Sequence, residues 1–401
     1  MESKALPLHP DFDQYKKQAK ELLKAFKSHD PKAIERIRRW HPHAREITEP
    51  VLADAQLILA REHSFESWPK FARYVQELSQ ASSAFARFER AADVVVNGDV
   101  STLQEMLRHD PELVHARSPR EHQATLLHYV SANGVEDYRQ TTPKNAVEIA
   151  TILLDAGAEV DAVADAYGKS TTLGLTDTSI HPLRAGLLIP LLELLLARGA
   201  SIDGAPAGWN IVNACLANGR KLGSEFIANR GAKLDLEGAA GVGRLDLVKS
   251  FFNEDGSLKP NTTKAQMESG FIWACEYGRA EAADFLLRMG VDKNTYRQHK
   301  LTGLHWAAAS GDLDTVKAVL KHQPPLEARN VWGGTPLGGA IWAATESDPN
   351  DPVWPKADWV PIIDLLLQAG ASVQAIDYPT GHLRIDDVLR SYGAKERIQP
   401  A

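Results

Sequence analysis

Cysteine is almost absent from this chain, since only Cys215 and Cys275 occur among its 401 residues. Two cysteines are too few for a disulfide framework or for a zinc site built from cysteine. Each follows an alanine in an apolar stretch, which is the slot of a small buried residue, so we expect both thiols to be inert. Such cysteine usage favours a reducing compartment.

Long apolar runs are also missing. The longest, residues 187–197, contains Pro190 and Glu193, and it is about half as long as a membrane span. The polar N-terminus has no apolar core of the kind that a secretory signal needs. We therefore predict a cytoplasmic protein without a membrane partner.

Positive charge is not in excess. The net charge is -7, and the acidic surplus lies beyond residue 80, because residues 1–80 carry 14 Lys and Arg against 12 Asp and Glu. Nucleic acid is therefore not an expected partner. Hydrophobic residues at 44% and charged residues at 24% exclude wholesale disorder. The length allows two or three ordinary domains or one long array of small units.

Internal repetition is what the chain has in abundance. Residues 301–328 read LTGLHWAAASGDLDTVKAVLKHQPPLEA, and the next copy opens with GGTPLGGAIWA and closes with IIDLLLQAGASV. These phrases resemble ankyrin repeats, whose Thr-Pro-Leu-His-x-Ala-Ala opening and Leu-Leu-x-x-Gly-Ala close they match with losses at single positions. Eight units and a truncated ninth start near Phe85, His122, Tyr167, Gly208, Leu236, Glu268, Lys300, Gly333 and Tyr378.

The resemblance implies an all-α, ankyrin-type solenoid of about eight to nine repeats. The residues agree with it, because the alanine pair of each unit is small enough for inner helices to approach while an apolar outer helix covers them. Neither helix can bury its face alone, so neighbouring units must stack. A glycine such as Gly157 or Gly370 follows each outer helix and is expected to end it in a left-handed conformation before a hairpin.

The first 79 residues have a different pattern. Apolar side chains at helical spacing predict helices over residues 11–28, from Pro31, over 51–62 and over 67–78. Four such helices make a small bundle, and a repeat array needs a cap on its exposed end. We predict an N-terminal four-helix cap (residues 1–79), a linker (80–84) and the repeat array (85–401).

Three insertions separate the inner and outer helices of units two, three and eight. They span residues 134–145, 177–186 and 345–358. Insertions in repeat arrays map to loops on one face, often the binding face. In the third we expect Trp354 and Trp359 to anchor a loop over the end of the groove, because they would otherwise expose large apolar area.

Candidate binding residues come from aligning the units. In ankyrin-like stacks, the residue after the signature histidine faces the concave groove, and here that column holds Asn213 and three large aromatic residues. Aromatic rings with a few polar groups are typical of recognition surfaces; the alternative is that the rings pack on neighbouring hairpins. The candidate groove residues are Tyr129, Trp273 and Trp306, with Asn213 beside them in the column, Asn133, Glu276 and Tyr277 near the ends of the inner helices, and Trp342 in unit eight.

Histidine positions have two interpretations. His128 and His305 fill the signature position, where the resemblance implies bonds to backbone groups of the adjoining hairpin. His181 lies in an insertion near Asp177 and Ser179, but these lack the strained turn of a nucleophilic serine. We treat His181 as a candidate ligand contact, with helix capping by its neighbours as the alternative.

Tyr138 and Arg139 in the first insertion are further candidates, because an arginine on a groove rim can bind a carboxylate. The alternative is structural, with Thr142-Pro143 or Asn145 starting the outer helix. The acidic third insertion lacks the calcium-loop pattern, and the glycines of GAAGVGRLDL follow no strand. We therefore predict no catalytic residue, no metal and no cofactor.

Function is expected to follow from recognition. A finer resemblance, carried by LLHYVSANGVEDYRQ, LDLEGAAGVGRLDLVKSFF and ESGFIWACEYGR, is to a group of bacterial ankyrin-repeat proteins with the same opening helices. Ankyrin scaffolds generally bind proteins, so we predict a non-catalytic protein that binds a partner protein through its concave groove. The alternative is an enzyme or small-molecule binder whose pocket is formed by the groove and the three insertions.

Overall fold

The computed structural model describes residues 4–7, 10–45, 47, 49–80, 83–204, 210–348, 350–352 and 356–396. The chain forms two compact units, residues 1–207 (the first unit) and 208–401 (the second unit). Gly208, Trp354 and residues 81 and 82 of the predicted linker lie outside the described residues.

The first unit begins with the four predicted helices, α1 (Phe12–Lys27), α2 (Pro31–Trp40), α3 (Leu52–Glu62) and α4 (Trp68–Leu78). The side chains of Asp11 and Asp30 cap the first two by accepting backbone N–H bonds. The buried faces of the helices share two small apolar cores, one around Leu22 and Ile58 and one around Tyr15 and Phe71. The bundle therefore has its own interior.

Three pairs of helices follow in the first unit: α5 (Ala84–Asn97) with α6 (Val100–His109), α7 (Leu126–Tyr129) with α8 (Ala146–Asp155), and α9 (Thr172–Thr178) with α11 (Leu188–Ala197). Each inner helix contacts the next inner helix, α5 with α7 and α7 with α9, and each outer helix contacts the next outer helix. This is the stacking that the sequence repeats predict.

The second unit continues the same pattern. Its pairs are α12 (Ile211–Ala217) with α13 (Lys221–Asn229), α14 (Leu236–Gly241) with α15 (Leu245–Ser250), α16 (Lys264–Glu276) with α17 (Ala280–Arg288), α18 (Gly303–Ser310) with α19 (Leu313–Leu320), and α20 (Pro336–Glu346) with α21 (Val360–Gln368), before α22 (Leu383–Ser391). One continuous apolar core runs from Leu236 to Leu389. Because each repeat buries its faces only against its neighbours, this core spans the repeats rather than filling each one.

Hairpins link the pairs. Strand β1 (Val163–Ala164) pairs with β2 (Ser170–Thr171), and β3 (Tyr296–Arg297) pairs with β4 (Leu301–Thr302), both antiparallel. The closing glycines have the predicted left-handed conformation, with φ of 100° at Gly157 and 102° at Gly370.

Both signature histidines bond backbone groups, and His305 makes the predicted bond to the adjoining hairpin. In each, Nδ1 accepts from the backbone N–H of a threonine at the start of the inner helix, Thr125 for His128 (3.1 Å) and Thr302 for His305 (3.2 Å). His305 Nε2 also lies 3.1 Å from the Gly334 carbonyl oxygen in the next hairpin. Burial lowers the pKa of His128 to about 4, so its imidazole is neutral at physiological pH.

The insertions differ from expectation in one case. Residues 177–186, predicted as a loop, are largely helical, because α9 continues to Thr178 and a short helix α10 (Ile180–Arg184) follows directly. Ser179 caps α10 and is buried. In the first insertion Asp137–Arg139 form a single 3-10 turn, and Asn145 is the residue that precedes α8.

Cys215 and Cys275 form no disulfide and both are buried, as the sequence predicts. Burial raises the pKa of Cys275 well above its usual range, which keeps the thiol protonated and unreactive. Among the described residues, no helix combines the length and apolar character needed to cross a membrane.

Candidate functional site

The candidate tryptophans of the second unit lie on three successive inner helices. Trp273 belongs to α16, Trp306 to α18 and Trp342 to α20. Exposure of the residues rises along the series, from 4% at Trp273 through half-buried Trp306 to 53% at Trp342. The expectation that Trp273 faces water is wrong, because the Arg297 guanidinium of strand β3 lies 4.7 Å from the centre of its ring and covers it.

The polar candidates of the second unit connect repeats. Asn213 Nδ2 donates to Asp235 Oδ2 (2.8 Å) and to Glu237 Oε1 (3.0 Å), which belong to the next repeat. Tyr277 is buried, and its hydroxyl donates to the Leu216 carbonyl oxygen. The expectation that Tyr277 faces the groove is therefore wrong, since a phenol ring in this position fills the space between inner helices.

Glu276 is the titratable candidate of the second unit. Burial raises the pKa of its carboxyl to about 7, and the nearby Arg297 guanidinium offsets part of that rise. The carboxyl therefore changes charge near physiological pH, at the end of inner helix α16.

Replacing Glu276 with Gln is expected to reduce the pH dependence of the second unit's stability. The carboxyl binds its proton more tightly in the folded chain, with a pKa of about 7 against an ordinary 4.5, so the free energy of unfolding falls as the pH rises through this interval. Urea unfolding at pH 5, 6.5 and 8 should show a smaller fall for E276Q than for the wild type. Glu281→Gln, on the exposed side of α17, is the control, and an E276Q profile parallel to that control would contradict the prediction.

In the first unit, Tyr129 is not on the surface. Its residue exposure is 0%, and its ring lies 6.1 Å from the rings of Phe88 and His122 and 5.7 Å from the Arg139 guanidinium. The expectation of a groove-facing Tyr129 is wrong, because the first insertion folds over the short inner helix α7 and encloses the ring.

Arg139 is also buried, and each of its three guanidinium nitrogens contacts an oxygen atom of the same chain. Nη1 pairs with Glu89 Oε2 (2.5 Å), Nε donates to Asp93 Oδ1 (2.8 Å), and Nη2 donates to the Glu89 carbonyl oxygen (3.0 Å). The sequence correctly indicates a carboxylate-binding fork, but the carboxylates belong to helix α5 and not to a partner. The predicted rim position of Arg139 is therefore wrong.

Tyr138 joins this network to the N-terminal helices through Arg120. Arg120 Nη2 donates to the hydroxyls of Tyr138 (3.0 Å) and Tyr74 (3.2 Å), and its guanidinium lies 4.8 Å from the ring of Phe65. Burial raises the pKa of Tyr138 to about 12, so the hydroxyl stays protonated. Arg120 also pairs with Glu136 Oε1 at 2.5 Å. We call Glu89, Arg120, Glu136 and Arg139 the charged cluster.

The remaining candidates of the first unit contact its third repeat. Asn133 Nδ2 donates to the Leu175 carbonyl oxygen (3.2 Å) and to Thr178 Oγ1 (3.0 Å), which ties α7 to α9. His181 is half-buried in α10, and its backbone N–H donates to Ser179 Oγ at 3.4 Å. The structure thus supports the helix-capping interpretation of Ser179.

The alignment of repeats missed the charged cluster. Arg120 and Glu136 lie in segments outside the repeated phrase, where nothing in the sequence marks burial. One signal was present, since Glu89 stands between Phe88 and Ala91 on an apolar inner helix, and a buried carboxylate requires a buried cation.

The model of the family Ankyrin repeats (3 copies) matches residues 236–330 and 271–347. Residues 236–347 therefore carry ankyrin repeats, and such repeats generally mediate protein–protein interaction. It is also similar to the crystal structure of the human ASB11 ankyrin repeat domain, with 17% identity and a TM-score of 0.35 over 70% of this chain and 98% of that one. Within the described ranges, no group of three or more His, Cys, Asp or Glu side chains could hold a metal ion.

Proposed function

We propose that this is a non-catalytic recognition protein that binds a partner protein through the inner-helix face of its second unit. The observation that carries the proposal is Trp342, whose large apolar side chain is 53% exposed on helix α20. Exposed tryptophan is costly in water and is enriched at binding hot spots. Trp306, one inner helix earlier, is only half-buried.

Exposed aromatic rings on the neighbouring hairpins support the proposal. Tyr296 of strand β3 and Trp332, just before α20, are exposed, and the Trp332 ring lies 4.7 Å from the His299 ring of the preceding hairpin. Two consecutive hairpins and one inner helix thus present aromatic side chains to solvent. A partner that covers them would bury their apolar area.

A site-specific photocrosslinker tests the proposed face. With the crosslinking residue at position 342, we expect a covalent adduct with a partner protein in cells, and none with the residue at Leu222, which is exposed on outer helix α13. Trp342→Ala should lower the affinity for that partner at least about 30-fold, the range of hot-spot tryptophans, without a change in urea midpoint. Equal adducts at both positions, or unchanged affinity of the alanine variant, would contradict the proposal.

A further inference from the structure

The tips of two consecutive hairpins in the second unit are bonded to each other. We define the paired tips as residues 296–300 and 329–334. The Val331 backbone N–H donates to the His299 carbonyl oxygen at 2.9 Å, and the rings of His299 and Trp332 lie 4.7 Å apart. A partner would therefore meet a surface that is already ordered, which lowers the entropy cost of binding.

The paired tips expose apolar side chains. Tyr296, Val331 and Trp332 each leave more than half of their surface in water. One exposed apolar residue is ordinary on a protein surface, but three on two bonded tips are typical of an interaction site.

The same tips are basic in a unit that is not. Residues 208–401 carry 21 Lys and Arg against 23 Asp and Glu, whereas the paired tips contain Arg297, Lys300 and Arg329 and no carboxylate. Arg297 covers the Trp273 ring. Lys300 and Arg329 are exposed, and neither forms an ion pair with a described residue. Their charges are therefore uncompensated.

The carboxylates that flank the tips do not neutralise them. Asp292 Oδ1 accepts from the backbone and side-chain N–H groups of Asn294 (both 2.9 Å), and Glu327 Oε1 accepts from the Ser372 backbone N–H (2.8 Å). Residues 292–300 and 327–334 together carry four Lys and Arg against these two acids. The surplus charge of this surface stays positive.

Charge complementarity selects a negatively charged partner for the paired tips. Nucleic acid carries a phosphate at every nucleotide, so the acidic surplus of the rest of the unit would repel it. A peptide can confine its carboxylates to the two tips and also supply an apolar side chain for Trp332. The exposed apolar residues and the local extent of the positive charge thus favour a peptide.

We propose that the paired tips bind an acidic peptide segment of a partner protein, whose carboxylates pair with Lys300 and Arg329 and whose aromatic or aliphatic side chain packs on Val331 and Trp332. This inference rests on the function proposed above, because it names the chemistry of the partner that covers these aromatic side chains.

A selection of random linear peptides displayed on phage tests the proposal. It is run in parallel on the full wild-type chain and on the double variant Lys300→Asn, Arg329→Gln. Asn suits the left-handed backbone of residue 300, where φ is 58°. The variant otherwise loses only the exposed hydrogen bond from Arg329 to the Gly333 carbonyl oxygen (2.8 Å), so it should keep its fold.

Peptides enriched on the wild type, and not on the variant, should carry an excess of Asp and Glu with at least one aromatic or aliphatic residue. Enriched peptides without the acidic excess would overturn this inference and leave the proposed function standing. If no peptide is enriched, the inference fails as well, whereas crosslinking at position 342 decides the proposed function separately.

Fluorescence anisotropy of the most enriched peptide then separates the charged and apolar contributions. The double variant should weaken binding about fivefold at low salt, as expected of two exposed charges, and this difference should disappear at high salt. Trp332→Ala should weaken binding about tenfold at both salt concentrations. The control is the double variant Lys249→Gln, Lys259→Asn, which removes two exposed cations outside the tips and should leave the affinity unchanged.

Two results would overturn the assignment of the paired tips. One is an equal loss of affinity in the control variant, which would show that only the net charge of the chain matters. The other is tighter binding of oligothymidylate than of the peptide, which would assign the surface to single-stranded nucleic acid.

Discussion

Replacing Arg139 with Ala is expected to lower the free energy of unfolding of the first unit by about 3–5 kcal/mol, the cost of leaving a buried ion-pair partner uncompensated. Arg139 is buried against Glu89, which is itself buried on the apolar inner helix α5. Burial disfavours the charged form of Arg139, but the carboxylates of Glu89 and Glu136 raise its pKa above the ordinary value, so the guanidinium stays charged. Without the guanidinium, the Glu89 carboxylate still has the free-energy cost of burial but no longer has the ion pair with Arg139 that offsets it.

Hydrogen exchange of residues 84–155 during urea unfolding measures this loss separately from the second unit. Arg87→Ala is the control, because Arg87 lies on α5 beside Glu89. Its ion pair with Asp110 is largely exposed and is worth at most about 1 kcal/mol. The double variant Arg139→Met, Glu89→Leu should recover part of the stability, since it removes both charges together. Equal losses of unfolding free energy in R139A and R87A would show that the Arg139–Glu89 ion pair contributes no more than a surface ion pair.

Replacing Tyr74 with Ala is expected to destabilise both the N-terminal helices and the first repeat, by about 3–5 kcal/mol for the loss of a buried aromatic ring. The ring lies 4.7 Å from that of Phe85 on α5 and 4.5 Å from the Arg120 guanidinium. Its loss would open a cavity between α4 and α5 and expose one side of a buried charge. This variant tests the predicted capping role of residues 1–79, which stays a prediction.

Local hydrogen exchange again provides the measurement. Faster exchange in both residues 68–78 and residues 84–97 is the expected result. Tyr74→Phe, which keeps the ring and loses only the hydrogen bond from Arg120, should cost about 1 kcal/mol. If Y74A speeds exchange in residues 68–78 alone, the helices form a tethered module and not a cap.

Much of the fold could be read from the sequence. The repeated phrases and closing glycines predict eight units and a truncated ninth, and the described residues after α4 form eight helix pairs and a final single helix, with the short α10 as an addition. The one clear error, residues 177–186, arose because an insertion was equated with a loop. Those residues include Leu183, which is buried, and a serine that can cap a helix, so packing favoured α10 over an extended connection.

The candidate site was less predictable. Position in the repeat identifies the inner-helix column, but it does not say which members of the column are covered. Trp273 and Trp306 occupy equivalent positions, yet Arg297 covers the first ring while the second stays half-buried. The outcome depends on the side chain that each hairpin happens to present, and this differs from repeat to repeat.

The sequence by itself determined the class of this protein, because the small residues, glycines and apolar helices of a repeat array act through local spacing and contacts between adjacent units. Only the tertiary structure decided which charges are buried. Arg120 and Glu136 form an ion pair across 16 positions of chain, and Arg139 reaches Glu89 across 50. Such contacts depend on how the first insertion folds onto α5 and the N-terminal helices. The periodicity of the sequence does not predict that packing.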